Sequence, residues 1–129
     1  MKTDSELADY WYGELIDSLR LISSDFSVQE KVLPDFVHVP DEVLNSFPID
    51  SLHTIYNEGL ITEEQLAQLR ELDTLLDEVE LPSDYEEMLE EMKSGQAFEE
   101  LRKNAKKILV ALGQKYEEPQ INAVYVKGS

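Results

Sequence analysis

Two histidines each follow an aspartate by three residues, in Asp35-x-x-His38 and in Asp50-x-x-His53. On a helix, this spacing places a carboxylate and an imidazole on one face, as in di-metal helical bundles. Those bundles use glutamates on long helices with two further carboxylates, whereas Asp35 and His38 lie between two prolines, where helix is disfavoured. We therefore predict no metal site, and we expect both histidines to be surface or capping residues.

Other patterns that carry catalytic chemistry do not occur in the sequence. It has no cysteine, no G-x-S-x-G nucleophile elbow, no G-x-x-x-x-G-K-[ST] or G-x-G-x-x-G phosphate loop and no D-x-[DN]-x-[DN]-G calcium loop. The serines lie at expected helix starts and turns, where capping explains them. Carboxylates are so abundant that a pair of them does not indicate acid–base catalysis. The sequence therefore predicts a protein that is not an enzyme and that needs no cofactor.

Acidic charge is the strongest feature of the chain, and it is unevenly distributed. The 129 residues include 28 Asp and Glu against 11 Lys and Arg, which gives a net charge of −17. Residues 63–91 hold twelve of the acids and a single base, Arg70, whereas residues 92–129 carry a net positive charge of 3. Binding to nucleic acids or anionic membranes requires clustered Lys and Arg, so we expect neither as a partner. A role of the charge in solubility alone is the alternative.

The basic stretch LRKNAKK, residues 101–107, is a cluster that could suggest nucleic-acid binding. Glu99 precedes Lys103 by four residues and Glu100 precedes it by three, which are the spacings of helical ion pairs. We therefore predict that this stretch balances charge inside the protein, within its own helix or against the acidic helix.

The spacing of apolar residues predicts an all-α fold, an irregular bundle of three longer amphipathic helices plus short helices. A chain of 129 residues fits one domain, residues 1–129. After Pro119, the stretch INAVYV has strand composition, so residues 114–129 are either an extended tail or include a short docked strand. The three apolar stripes consist of Leu7, Trp11, Leu15, Leu19 and Ile22; of Leu66, Leu69, Leu72, Leu76 and Val79; and of Phe98, Leu101, Ala105, Ile108 and Leu112.

Residues with capping side chains indicate where the helices begin and end. Thr62 with Gln65 forms a capping box, and Gly113 is a natural helix end. Leu33 and Val39 precede prolines and should be extended. The other predicted helix starts are Asp4 or Ser5, Ser27, Asp41, Asp50 and Ser83.

Three consecutive aromatic residues, Tyr10, Trp11 and Tyr12, lie on the first helix. One helical face cannot bury all three, so we expect Trp11 in the core and Tyr10 or Tyr12 partly exposed. Exposed aromatic residues among carboxylates are typical of an interface centre, and the alternative is a tyrosine that only flanks the core. Gly13 follows them and costs about 1 kcal/mol relative to alanine in a helix, so we expect something to pack closely there.

The sequence also bears on where the protein acts. No apolar run approaches the ~20 residues that span a bilayer, and the N-terminus MKTDSELADYW is acidic where a signal peptide is basic. Without cysteine there is no disulfide framework. We therefore expect a cytoplasmic protein without a membrane partner.

Three stretches resemble a known family: DYWYGELIDSL (residues 9–19), LPDFVHVPDEV (33–43) and LITEEQ (60–65). They are similar to stretches of small acidic immunity proteins that are encoded beside bacterial polymorphic toxins. The resemblance spans about the first half of the chain. It implies that the protein binds one cognate toxin and blocks the toxin's active site or a nearby surface, and it assigns no role to individual residues.

We therefore expect a non-catalytic inhibitor that neutralises a cognate, basic toxin through an acidic surface, with a nuclease as one candidate toxin. Pro34 and Pro40 would present Phe36 and His38 on a preorganised loop and reduce the entropy lost on binding. The alternative for this loop is a connector whose Phe36 and Val37 cap the core. The expected partner-binding residues are Glu63, Glu64, Glu71, Asp73, Asp77, Glu78, Glu80 and Asp84, together with Tyr12, Phe36 and His38.

A second function class is a helical adaptor or regulatory subunit of another cytosolic protein. An open apolar groove among the helices would favour this class, whereas a continuous acidic face with few exposed hydrophobic residues would favour the inhibitor. A third class, a small metalloenzyme, would be distinguished by metal analysis of the purified protein.

Overall fold

The structure, a computed structural model, describes residues 3–119. The chain is all-α over this range, which confirms the predicted fold class. No helix within residues 3–119 has both the length and the hydropathy to cross a bilayer. The predicted C-terminal strand lies outside the described residues. The helices are α1 (Asp4–Ser23), α2 (Phe26–Val32), α3 (Val39–Asn45), a 3₁₀ helix (Ile49–Ser51), α4 (Leu52–Asn57), α5 (Glu63–Glu78), α6 (Tyr85–Ser94) and α7 (Gln96–Ala111).

One hydrophobic core joins the three longer helices, α1, α5 and α7. Helix α7 packs against α1, α5 and α6, so it is the central helix of the bundle. Leu15 and Leu19 of α1 and Leu69 of α5 are completely buried in this core. Burial of each such side chain stabilises the fold by about 1.5–3 kcal/mol. The apolar stripes of the sequence therefore meet in one core, although Leu7 near the start of α1 stays 36% exposed.

The starts of the shorter helices and the capping residue of α1 differ from the prediction by one to three residues. Thr3, His38 and Asp84 are the N-caps of α1, α3 and α6, and each accepts the backbone N–H three residues on, at 3.1, 3.3 and 3.1 Å. Asp25 precedes α2 without a side-chain capping hydrogen bond. Because candidate capping residues are close together at these places, the local sequence does not select among them. Helix α1 begins at Asp4, as predicted, although Thr3 is its cap. The wrong starts are Ser27, Asp41, Ser83, and Asp50, which lies inside the 3₁₀ helix.

Two predicted helix ends are confirmed. The Thr62 hydroxyl accepts the Gln65 backbone N–H at 3.1 Å, and the Gln65 side chain accepts the Thr62 N–H at 2.8 Å, which completes the capping box of α5. Gly113 follows the end of α7 with a φ of 72°, a left-handed conformation that glycine adopts without steric cost. These two ends were identifiable because each depends on chemistry within a few residues.

Three predictions from local sequence rules concern Leu33, Val39 and Gly13, and two of them are wrong. Leu33 is extended as predicted, with φ −86° and ψ 144°. Val39 is not extended but begins α3, because Pro40 then lies in the first turn, where its missing N–H costs nothing. The close packing expected at Gly13 is wrong, since a Cβ atom there would meet nothing within 4 Å.

Residues 114–119 form neither helix nor strand and run along α1 and α2. The Arg20 guanidinium donates to the Lys115 carbonyl from Nε and Nη2, both at 3.2 Å. Further along, the Ser24 and Tyr116 hydroxyls lie 2.8 Å apart. The Lys31 ammonium then pairs with the Glu118 carboxylate at 2.9 Å. This segment therefore connects the end of α7 to the region where α2 ends.

Candidate partner-binding surface

Twelve carboxylates within residues 63–91 form what we call the acidic block. One side of α5 buries four leucines, so helical spacing turns the carboxylates of this helix away from the core. Of the eight acidic residues expected to bind the partner, seven are exposed and Asp73 is partly buried. The structure places these eight on α5, on the segment after it and at the start of α6. The exposed seven are Glu63, Glu64, Glu71, Asp77, Glu78, Glu80 and Asp84.

The basic residues of the described chain leave this block almost unneutralised. Within residues 3–119, one carboxylate of the block forms an ion pair with a base: Glu90 lies 3.7 Å from the Lys93 ammonium. In the basic stretch of α7, Lys103 pairs with Glu99 at 3.8 Å, so one of the predicted ion pairs within that helix forms. No ion pair joins α5 to α7 among these residues. The acidic block therefore keeps its negative potential.

Asp73 shows that carboxylates of different elements lie close enough to interact. Burial raises the pKa of its carboxyl group above the ordinary value of 3.8, and the negative charges of Asp77 and Asp50 raise it further. Asp50 belongs to the 3₁₀ helix, so the anionic region extends from α5 to a neighbouring element. The charges of Asp73 and Asp77 on α5 and of Asp50 on the 3₁₀ helix therefore act on one another.

We expect Asp73→Asn to stabilise the fold at neutral pH and to lose this advantage in acid. Because the folded-state pKa is raised, ionisation of Asp73 costs folding free energy above that pKa, and the cost disappears as the pH falls through it towards 3.8. Solvent screens this partly exposed group, so the gain should be about 0.5 kcal/mol or less. Urea unfolding at about pH 7 and about pH 3 measures it. A gain that persists unchanged in acid would contradict this explanation.

The segment between α2 and α3 contains the exposed ring of Phe36. Leu33 and Val39 are buried and anchor the two ends of this segment. Between them, the Val37 N–H donates to the Pro34 carbonyl at 3.0 Å, which closes a turn, and Val37 packs against the core. Phe36 is 49% exposed, so the alternative in which it caps the core is wrong, whereas Val37 does contact the core.

Two further rings lie beside this turn. The His38 imidazole is 5.1 Å from the Tyr85 ring, at an interplanar angle of 55°. Tyr85 begins α6 and is 45% exposed, and His38 is also exposed. The Nδ1 atom of His38 accepts the Asp41 N–H, which confirms the predicted capping role. We call Phe36, His38 and Tyr85 the loop surface.

Tyr85 is the residue of this surface that sequence reasoning missed. Its helical spacing to Met88, Leu89 and Met92 favours an inward-facing position on a short helix. It stays exposed because it is the first residue of α6, and its contact with His38 forms only when α6 packs against α3. The one feature of the sequence that could have indicated its exposure is its position directly after Asp84, the cap of a short helix.

Tyr12 lies apart from the loop surface. Its hydroxyl accepts a hydrogen bond from the Gln114 side chain at 3.2 Å, where the C-terminal segment begins, whereas the end of that segment, at Glu118, reaches α2. As expected, Trp11 packs against the core and Tyr10 is exposed, at 44%. The structure therefore joins His38 with Tyr85 beside the turn that carries Phe36, whereas Tyr12 contacts the C-terminal segment.

No group of three or more His, Asp or Glu within residues 3–119 is arranged to hold a metal ion. Searches against protein-family models, curated proteins and solved structures find no match to the chain. The candidate surface is therefore supported by its geometry and charge alone.

Proposed function

We propose that the protein is a non-catalytic inhibitor of the immunity type, which binds and neutralises a positively charged protein toxin. The observation that supports this most is the acidic block, in which eleven of the twelve carboxylates have no ion pair to a base in residues 3–119. A toxin that acts on nucleic acid needs a basic groove to bind phosphate. The acidic block offers such a groove a complementary potential, which speeds encounter and favours the right partner.

The loop surface offers the short-range contacts that long-range electrostatic attraction does not provide. Exposed charges steer a partner, but tight binding depends on a few aromatic or arginine anchors that become desolvated at the centre of an interface. Phe36, His38 and Tyr85 are ring side chains of this kind, and carboxylates of Asp35, Asp41 and Asp84 lie beside them in the chain. Pro34 and the turn at Val37 restrict the loop before binding, so less entropy is lost in the complex.

A second candidate function is a helical adaptor for another protein, and one feature favours it. A groove of about 220 Å³ between α5 and α7 is lined mainly by apolar residues, among them Leu75, Val79 and Ala97. A groove that binds an amphipathic helix must receive several side chains along its length. This groove is too small for that, and the carboxylates of Glu78 and Glu100 border it. The inhibitor therefore accounts for more of the surface.

Co-expression with the product of the adjacent gene tests the proposal. An immunity protein is encoded directly beside its toxin, so the neighbouring protein alone should arrest bacterial growth. Growth should recover when this chain is produced with it, and the two proteins should elute together from a sizing column. A neighbour that does not harm cells, or an arrest that this chain does not relieve, would contradict the proposed function.

A further inference from the structure

An open cavity lies directly beside the loop surface. It has a volume of about 490 Å³, within the range of about 300–1,000 Å³ that is typical of ligand sites. Four elements supply its walls: α2, the turn between α2 and α3, the first residue of α3, and the start of α6. The lining residues that matter for recognition are Glu30, Lys31, Pro34, Asp35, Val37 and Tyr85.

The charges around this cavity favour a cation. Glu30 and Asp35 line it, and neither forms an ion pair with another residue in the range 3–119. Lys31 is the lining base, but its ammonium is 2.9 Å from the Glu118 carboxylate, which compensates its charge. An anion would therefore meet net negative charge, whereas a cation could pair with two carboxylates that have no partner of their own.

The uncharged walls select the shape of that cation. Pro34 and Val37 provide apolar surface that an aliphatic chain can cover. The Tyr85 ring is 45% exposed at the rim, and a planar cation can stack on such a ring. A guanidinium combines this stacking with paired hydrogen bonds to carboxylates, which an ammonium cannot do in the same geometry.

We propose that this cavity receives an arginine side chain of the partner protein. The alkyl part lies against Pro34 and Val37, the guanidinium stacks on Tyr85, and Glu30 and Asp35 accept its N–H groups. This inference rests on the proposed function, because it assumes a basic protein partner. It goes further in assigning the short-range anchor to this cavity and only the long-range attraction to the acidic block.

A small arginine probe tests the cavity without the toxin. N-acetyl-arginine N-methylamide is titrated into the isotopically labelled protein at about 0.15 M salt, where long-range attraction between exposed charges is largely screened. We expect saturable shifts of the amide signals of Ser27, Asp35 and Val37, with a Kd of about 1–20 mM. The citrulline analogue has the same shape without the charge, and it should cause no saturable shift. The lysine analogue should bind several-fold more weakly.

Three variants separate the parts of the cavity. Tyr85→Ala should weaken arginine binding at least fivefold, and Tyr85→Phe should retain it, because stacking needs the ring and not the hydroxyl. Glu30→Gln with Asp35→Asn should abolish the preference for arginine over citrulline. The matched control, Glu63→Gln with Glu64→Gln, removes two exposed carboxylates of the acidic block and should leave binding unchanged.

Several results would overturn the cavity proposal. They are equal shifts with citrulline, shifts confined to α5, and an arginine preference that survives the change of Glu30 and Asp35. These results would leave rescue from growth arrest unaffected, so the proposed function would stand without this anchor. Conversely, arginine binding without rescue from growth arrest would contradict the inhibitor function and would support the cavity as an arginine site.

Discussion

Reversing Glu71, Asp77 and Glu78 to lysine is expected to slow association with the basic partner by about one to two orders of magnitude at low salt. All three carboxylates are exposed on α5 and have no ion pair with a base in the described chain. Under the proposed function, each contributes to the negative potential that attracts the basic toxin before contact. Lysine near the C-terminal end of a helix is favourable, so the changes of Asp77 and Glu78 should not weaken α5. Stopped-flow mixing at several salt concentrations measures the rate.

A matched triple variant controls for net charge. Glu6, Asp9 and Asp25 are exposed carboxylates outside the acidic block, and their reversal also changes the net charge of the chain from −17 to −11. We expect this variant to slow association by less than about threefold, because the local field at the interface decides the encounter. Equal slowing by both variants would show that only total charge matters and that the position of the acidic block does not.

Leu69→Ala is expected to cost about 3 kcal/mol of folding free energy, within the range of about 2–5 kcal/mol for leucine truncation in a core. Leu69 is completely buried where α5 joins the core, so the deletion leaves a cavity. Domains of this size are stable by only about 5–15 kcal/mol, and a loss of this size should lower the melting temperature by about 10 °C. Because α5 carries half of the carboxylates of the acidic block, the same change shows how far their position depends on core packing.

Leu75→Ala provides the comparison on the same helix. Leu75 is only partly buried, so its truncation should cost about 1 kcal/mol or less. While Leu69→Ala remains folded, its association rate should equal that of the unaltered protein, since its surface charges are unchanged. A cost for Leu69→Ala as small as that for Leu75→Ala would contradict the assignment of α5 to the central core.

The longer helices could be predicted because their signals are local and regular. In α5, four leucines recur at helical spacing, and the Thr62–Gln65 capping box fixes the first turn. In α7, the end is fixed by Gly113. The starts of α2, α3 and α6 could not be predicted in this way. Replacing a capping residue changes stability by only about 1 kcal/mol, and several candidate residues lie close together. The choice among them depends on how each short helix packs.

The candidate surface shows the same division between local and long-range information. The carboxylates of α5 could be placed outside from the position of its leucines alone. Whether Phe36 was exposed or buried could not be decided, because this depends on what packs over the turn. The contact between His38 and Tyr85 joins residues far apart in sequence. The same holds for the pair of Lys31 and Glu118, in which the carboxylate compensates the positive charge of a lysine that lines the cavity.

The dependence of the association rate on ionic strength, measured for the unaltered protein and its cognate toxin, tests the central claim most directly. If the acidic block guides a basic partner, the rate constant should fall at least tenfold between about 20 mM and about 500 mM salt, with little change in the dissociation rate. A rate constant that stays the same over this range, or rises with salt, would contradict the account.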